Sequence, residues 1–130
     1  MKHLKRLFVI AVITIGTAIP VGALGAQPAY ADLGNPWDGC AQSGYITVAS
    51  QYSGDGTIYL EFSPMCNTAW ETWQGCNISS VYVQNRLGDR GYAIVGGCAG
   101  YTAQVDDGGN DQAQAVAYGA GTGWFWTAWW

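Results

Sequence analysis

The chain predicts an all-β fold, a small antiparallel β-sandwich or barrel stapled by two disulfides. Three observations carry that reading. Turn signals built from Gly, Asp, Asn and Ser recur roughly every 8–12 residues, between short runs rich in β-branched and aromatic side chains. Beyond the N-terminus no useful stretch shows the 3.6-residue period of an amphipathic helix. Four cysteines, Cys40, Cys66, Cys76 and Cys98, follow an N-terminal export signal. An even cysteine count in an exported chain reads as a disulfide framework.

The export signal occupies residues 1–31. Lys2, His3, Lys5 and Arg6 form a basic head, and Leu7 to Ile19 is an apolar run that Pro20 and Gly22 break. Ala29-Tyr30-Ala31 then supplies an A-x-A site with cleavage before Asp32. The run is too short to cross a bilayer, and no second one follows, so the product is expected to be soluble and secreted. Removing residues 1–31 from the 130 leaves 99, a length that fits one domain. We expect a turn-rich arm at 32–39 and a single disulfide-bonded β domain at 40–130.

Processing changes the charge sharply. Lys2, Lys5, Arg6 and the sole histidine leave, so Arg86 and Arg90 face nine carboxylates, a net charge of about −7. Nucleic acid and anionic lipid both require a basic footprint that this chain lacks. Without histidine or lysine there is no Ser–His or Cys–His pair, no Schiff base and no ordinary zinc site. Bridged cysteines leave no thiolate. A four-cysteine zinc site would need close C-x-x-C pairs, and there are none. No cofactor or metal is expected.

Only about 60–65% of the unfolded surface can be buried at this size, so cross-links matter. Three disulfide pairings are possible. Cys40–Cys66 with Cys76–Cys98 is preferred, each closing a loop worth about 3–3.5 kcal/mol in the chain-entropy model.

In chain order, Asp32 to Gly39 (DLGNPWDG) carries one isolated aromatic, Trp37, which either packs or docks. Tyr45 to Tyr52 is a β-rich run, Ser53-Gly54-Asp55-Gly56 a hairpin turn, and Thr57 to Ser63 the returning strand. Ile58, Leu60 and Phe62 share one face of it, with Tyr59 and Glu61 on the other. Pro64, lacking an N–H, stops the strand. Asn67-Thr68 is expected to cap a short helical turn carrying Trp70 and Trp73. Ser79 to Arg86 is a strand marked by alternating Val81 and Val83, and Leu87 to Gly91 a second hairpin turn leading to Tyr92 to Val95. Tyr101 to Val105 is a short strand, Asp106 to Asp111 (DDGGND) a third hairpin turn, and Gln112 to Tyr118 a strand with alanines on one side. Trp124 to Trp130 (WFWTAWW) ends the chain. No internal repeat of fixed period appears.

Little in this inventory does chemistry. Glu61 and Glu71 are the only glutamates and form the one conceivable carboxylate pair of a small hydrolase. Glu61, however, falls on the polar face of its strand, where a solvated carboxylate is the default. Asp106, Asp107, Asn110 and Asp111 could face a hard cation, yet their spacing is not that of a calcium loop, and a plain turn explains them. Asn77-Ile78-Ser79 matches a glycosylation sequon. The aromatics are the anomaly: seven Trp, seven Tyr and two Phe remain after processing. Strand alternation puts Trp124, Trp126 and Trp130 on one face of the tail, with Phe125 and Trp129 on the other. Such a tail either closes the core or offers rings for stacking and docking.

One segment resembles a known family. Cys40, Thr47, Gly56, Leu60 and the run Phe62-Ser63-Pro64-Met65-Cys66-Asn67-Thr68-Ala69-Trp70 resemble small secreted actinobacterial domains of unknown function. Their hallmark is a cysteine, a β-hairpin and an SP-x-C-x-T-x-W motif. The likeness spans Cys40 to Trp73, a third of the processed chain, and implies that Cys40 pairs with Cys66. Three departures stand out: no second cysteine pair lies upstream of Cys40, Glu71-Thr72 replaces an arginine that often follows the tryptophan, and the half containing Cys76, Cys98 and the tail has no counterpart. Small proteins of this sort also resemble adaptor subunits of secreted toxin-type assemblies.

The sequence therefore leads us to expect a non-enzymatic interaction module. It would act as an adaptor binding another secreted protein through Trp37 or through Trp124, Phe125, Trp126, Trp129 and Trp130. The alternative is a module that binds cell-surface or cell-wall glycan by stacking sugars on the tryptophans; the Glu61–Glu71 hydrolase stands last.

Overall fold

The computed structural model describes residues 33–109 and 111–130. The expected signal peptide, Asp32 and Asn110 lie outside the described residues. After one 3₁₀ turn at Pro36–Asp38, the described residues form nine strands: β1 (Ile46–Ser53), β2 (Gly56–Ser63), β3 (Thr68–Gln74), β4 (Ile78–Asn85), β5 (Arg90–Val95), β6 (Ala99–Thr102), β7 (Val105–Asp106), β8 (Ala113–Gly119) and β9 (Gly123–Trp126). All pairings are antiparallel, in the order β1-β2-β3-β6-β5-β4-β8-β9. β7 continues the line of β6 along β3. The sheet curls so that β2 faces β8 across the interior, making a nearly closed, barrel-like fold.

Alternation fills that interior. Ile58 and Leu60 from β2 meet Ala69 and Trp73 from β3, Val81 and Val83 from β4, and Ala113, Ala115 and Ala117 from β8. Each fully buried Ile, Leu or Val contributes about 1.5–3 kcal/mol. Trp73 belongs to the same core cluster as the β8 alanines, and its indole Nε1–H donates to Gly97 O at 3.3 Å. Gly100 accommodates the same ring, since a Cβ there would strike Trp73 and the Val95 carbonyl.

Cys40–Cys66 and Cys76–Cys98 are the disulfides, as the spacing led us to expect. The first ties the N-terminal arm to the β2–β3 turn, and the second ties the β3–β4 turn to the β5–β6 turn. Farther along, Asp55 of the β1–β2 turn accepts hydrogen bonds from Gly121 N, Thr122 N and the Thr122 hydroxyl at 2.7–2.9 Å. This clasp joins the β1–β2 hairpin to the β8–β9 hairpin and narrows the gap between the two edges of the sheet.

Two expectations are corrected here. Residues 68–74 form a strand, not a helical turn. Asn67 adopts a left-handed conformation (φ 55°) and donates its N–H to Ser63 O at 2.8 Å. That reverses the chain and returns it antiparallel along β2. Trp70 and Trp73, being an odd number of residues apart on a strand, then fall on opposite faces. The DDGGND segment is likewise not a hairpin turn: it carries the chain from β7, paired with β3, to β8, paired with β4.

Candidate functional site

The two glutamates are separated by register. Glu61 lies opposite Trp70 and Leu60 opposite Glu71 on the paired strands, so the carboxylates occupy opposite faces of the sheet. They do not converge as a catalytic pair. Glu61 is nevertheless buried rather than solvated. Its oxygens accept hydrogen bonds from Thr47 (2.6 Å) and Thr72 (2.8 Å), hydroxyls of the two flanking strands. Glu71 points into the core and accepts the Val116 N–H at 3.2 Å. Burial there pushes its pKa well above the ordinary glutamate range.

The arm lies against the other face of β3. Leu33 N donates to Gln104 O and Gln104 N to Gly34 O, so the arm pairs with the link between β6 and β7. Trp37 is half-buried, edge-on to Tyr45 at 5.8 Å and to Tyr101 at 6.2 Å. Tyr45 in turn meets the fully buried Trp70 at 5.3 Å. Trp37 thus belongs to a layer of rings over the sheet, and the structure does not bring it to the tail tryptophans.

The outer face of β5-β4-β8-β9 is where aromatic surface collects. Cross-strand partners align Tyr92, Tyr82, Val116 and Trp126 in one row, with Ser80, Tyr118 and Trp124 in the next. Tyr92, Trp124 and Trp126 are 56%, 53% and 54% exposed. Ring centroids lie 5.9 Å apart for Tyr82–Tyr92, 6.2 Å for Tyr82–Trp124 and 5.2 Å for Tyr118–Trp124, with interplanar angles of 49–71°. The Arg90 guanidinium sits 4.6 Å above the Tyr82 ring. Beside these rings is a groove of about 540 Å³, lined by Tyr82, Tyr92, Trp124, Ser79, Ser80 and Arg90 among others. Arg90 is the one charged side chain among its described lining residues. Asn77 of the sequon is exposed at the start of β4, next to this groove.

The tail tryptophans do not share one face. Val116 pairs with Trp126 and Thr127 N donates to Ala115 O, but Trp130 exchanges both backbone hydrogen bonds with Ala113. One extra residue on the tail side makes a bulge, which inverts the alternation beyond it. Trp124 and Trp126 therefore face outward, and Phe125 packs on the core. Trp130 turns to the barrel mouth, 4.8 Å from Phe62, while Trp129 lies 4.3 Å beneath the Arg86 guanidinium. Tyr82, Tyr92 and Tyr118, which sequence reasoning did not single out, complete the exposed face.

At that mouth Trp130 and Phe62 meet the acidic segment in a second cleft, of about 350 Å³, also lined by Asn67, Asp107, Asp111 and Gln112. Asp107 is only 8% exposed and its Oδ2 has no hydrogen-bond partner. Burial first, then the neighbouring Asp106 and Asp111 carboxylates, raise its pKa to about 7. Asp106 is shifted up as well, by burial and by the hydrogen-bonded Asp111 carboxyl.

No group of three or more His, Cys, Asp or Glu among the described residues is arranged to hold a metal ion. No helix among them is long and apolar enough to cross a membrane. Comparison with protein-family models, with curated proteins and with solved structures gives no match to this chain.

Proposed function

We propose that the chain is a secreted, non-catalytic adaptor that docks another exported protein on the outer face of β5-β4-β8-β9. The observation that carries this reading is the exposure of Trp124 and Trp126 beside Tyr118, on strands β8 and β9 whose opposite face packs on the core, with Tyr92 of β5 exposed at the end of the same row. Isolated exposed rings are ordinary, whereas a contiguous aromatic patch rimmed by polar groups is the usual mark of a docking site. Trp and Tyr are the residues that most often dominate such contacts. Arg90 offers donors to a partner carboxylate within the groove, and the net negative charge favours approach of a basic partner surface. The tilted rings weigh against the glycan-binding alternative, because flat sugar stacking calls for coplanar platforms. The export signal and two disulfides support secretion, as does the likeness of Cys40–Trp73 to secreted actinobacterial domains.

Affinity purification of the tagged protein from the native culture supernatant tests this, with a Trp124→Ser/Trp126→Ser variant beside it. The expected result is a stoichiometric exported protein that the wild type captures and the variant loses, at unchanged folded circular dichroism. Retention of the partner by the variant would remove this face from consideration. Sedimentation with cell-wall polysaccharide in place of a protein would move the assignment to glycan binding.

A further inference from the structure

The cleft at the barrel mouth shares no lining residue with the aromatic groove. It combines two features that the docking reading leaves unused. One is the Phe62–Trp130 ring pair, tilted by 56° with centroids 4.8 Å apart. The other is the Asp107 carboxylate, whose Oδ2 is buried in the wall without a partner. A buried carboxylate oxygen left unsatisfied is costly, and its natural complement is a positively charged donor. A compact hard cation would need several converging oxygens, and the described carboxylates do not provide them. Aromatic walls, in contrast, suit a cation whose charge is spread over an organic group, since ring faces attract ammonium and guanidinium ions.

We propose that the cleft formed by Phe62, Trp130, Asn67, Asp107, Asp111 and Gln112 binds an organic cation, an alkylammonium or guanidinium head. The rings take its apolar flank, the buried Asp107 carboxylate supplies the opposing charge from the wall, and the Asn67 and Gln112 amides border the opening. The charge comes either from a lysine or arginine side chain of a polypeptide or from a free quaternary ammonium ion of choline type.

Nuclear magnetic resonance titration of the oxidised, ¹⁵N-labelled protein tests the site. The probes are N-acetyl-lysine methylamide, N-acetyl-arginine methylamide and choline. The neutral norleucine analogue, sodium chloride and calcium chloride are controls. Saturable shifts at the Asp107, Gly109 and Asp111 amides and the Trp130 indole N–H are expected for at least one organic cation and for none of the controls. A preference for the amino-acid probes points to a polypeptide ligand, and a preference for choline to a free quaternary ammonium ion.

Asp107→Asn should weaken the response roughly tenfold, the scale of one partly buried charge attraction. This change removes a buried charge and is not expected to unfold the protein. Binding should also be weaker at about pH 5.5 than at about pH 8.5, because Asp107 then holds a proton. Asp106, Asp111 and Asp89 face the same region, and Arg86 is held nearby by Gln112 at 2.9 Å and by the Trp129 ring. Equal shifts with the norleucine analogue or with calcium would overturn the proposal, as would Asp107→Asn binding with unchanged affinity.

Discussion

Replacing Trp70 by alanine is expected to lower the stability of the oxidised protein by about 3–5 kcal/mol, read from urea unfolding. Trp70 is fully buried although it lies on the face of β3 away from the main core. Its cover is Tyr45, just ahead of β1, which packs edge-on to the indole, and Trp37 of the arm links Tyr45 to Tyr101. The Cys40–Cys66 disulfide ties the end of the arm to the β2–β3 turn. A small domain has only 5–15 kcal/mol in total, so losing this ring would bring the fold near its limit. Trp70→Phe should cost much less, because the indole Nε1–H is buried without a hydrogen-bond partner and its removal leaves nothing unpaired. Amide exchange should register the same change locally, with the Leu33 and Gln104 hydrogen bonds opening earlier in the alanine variant. A cost below about 1 kcal/mol would show that the arm layer does not unfold with the barrel.

The contrast between Trp70 and Trp73 shows where sequence reasoning worked and where it stopped. The β2 strand, its end at Pro64, both disulfides and the hairpin turns at 53–56 and 87–91 follow from local rules that the structure obeys. The helical turn expected after Asn67 followed from a capping residue and an i, i+3 aromatic spacing. A strand satisfies that same spacing, by placing the rings on opposite faces. What decided the matter was the left-handed Asn67, and the ladder with β2 rewarded extension over helix. Burial of Glu61 was hidden for a similar reason. The Thr47 and Thr72 hydroxyls that satisfy it come from the two flanking strands, β1 and β3.

The exposed aromatic face was partly legible. Val81 and Val83 point inward, so Ser80, Tyr82 and Gln84 had to point outward, and Tyr118 follows in the same way from Ala115 and Ala117. The alignment of these residues with Tyr92, Trp124 and Trp126 depends on strand order and register, which a single chain does not display. In the tail, strict alternation was correct through Thr127 and failed at Trp129 and Trp130. The bulge there is fixed by the Trp130–Ala113 backbone pair and has no glycine to announce it. The same bulge brings Trp130 to Phe62 and so forms the acidic cleft. Neither the tail nor the DDGGND segment could suggest that meeting by itself.

Glu71→Gln is expected to raise stability at neutral to alkaline pH and to flatten the decline of stability with rising pH. The Glu71 carboxyl faces the core opposite Leu60, with one oxygen on the Val116 N–H and the other without a partner. Both arginines among the described residues are engaged elsewhere, Arg86 over Trp129 and Arg90 over Tyr82, so neither balances a charge here. Burial accordingly holds the folded-state pKa well above that of the unfolded chain. A raised carboxyl pKa contributes stability that is fully present below the unfolded value and is lost as pH climbs through the folded one. In the window between them the slope per group is up to about 1.4 kcal/mol per pH unit. Glutamine copies the protonated acid in shape and cannot ionise, so that slope disappears. Asp107, raised to about 7, acts in the same direction. Its share should persist in the Glu71→Gln protein between about pH 4 and about pH 7 and vanish only when Asp107→Asn is added. Urea midpoints of the wild type, the two single variants and the double variant across that range separate the contributions. If Glu71→Gln instead destabilised the protein more and more as pH rose, the carboxylate would have to be charged and bound in the folded core. The unpartnered oxygen argues that it is not.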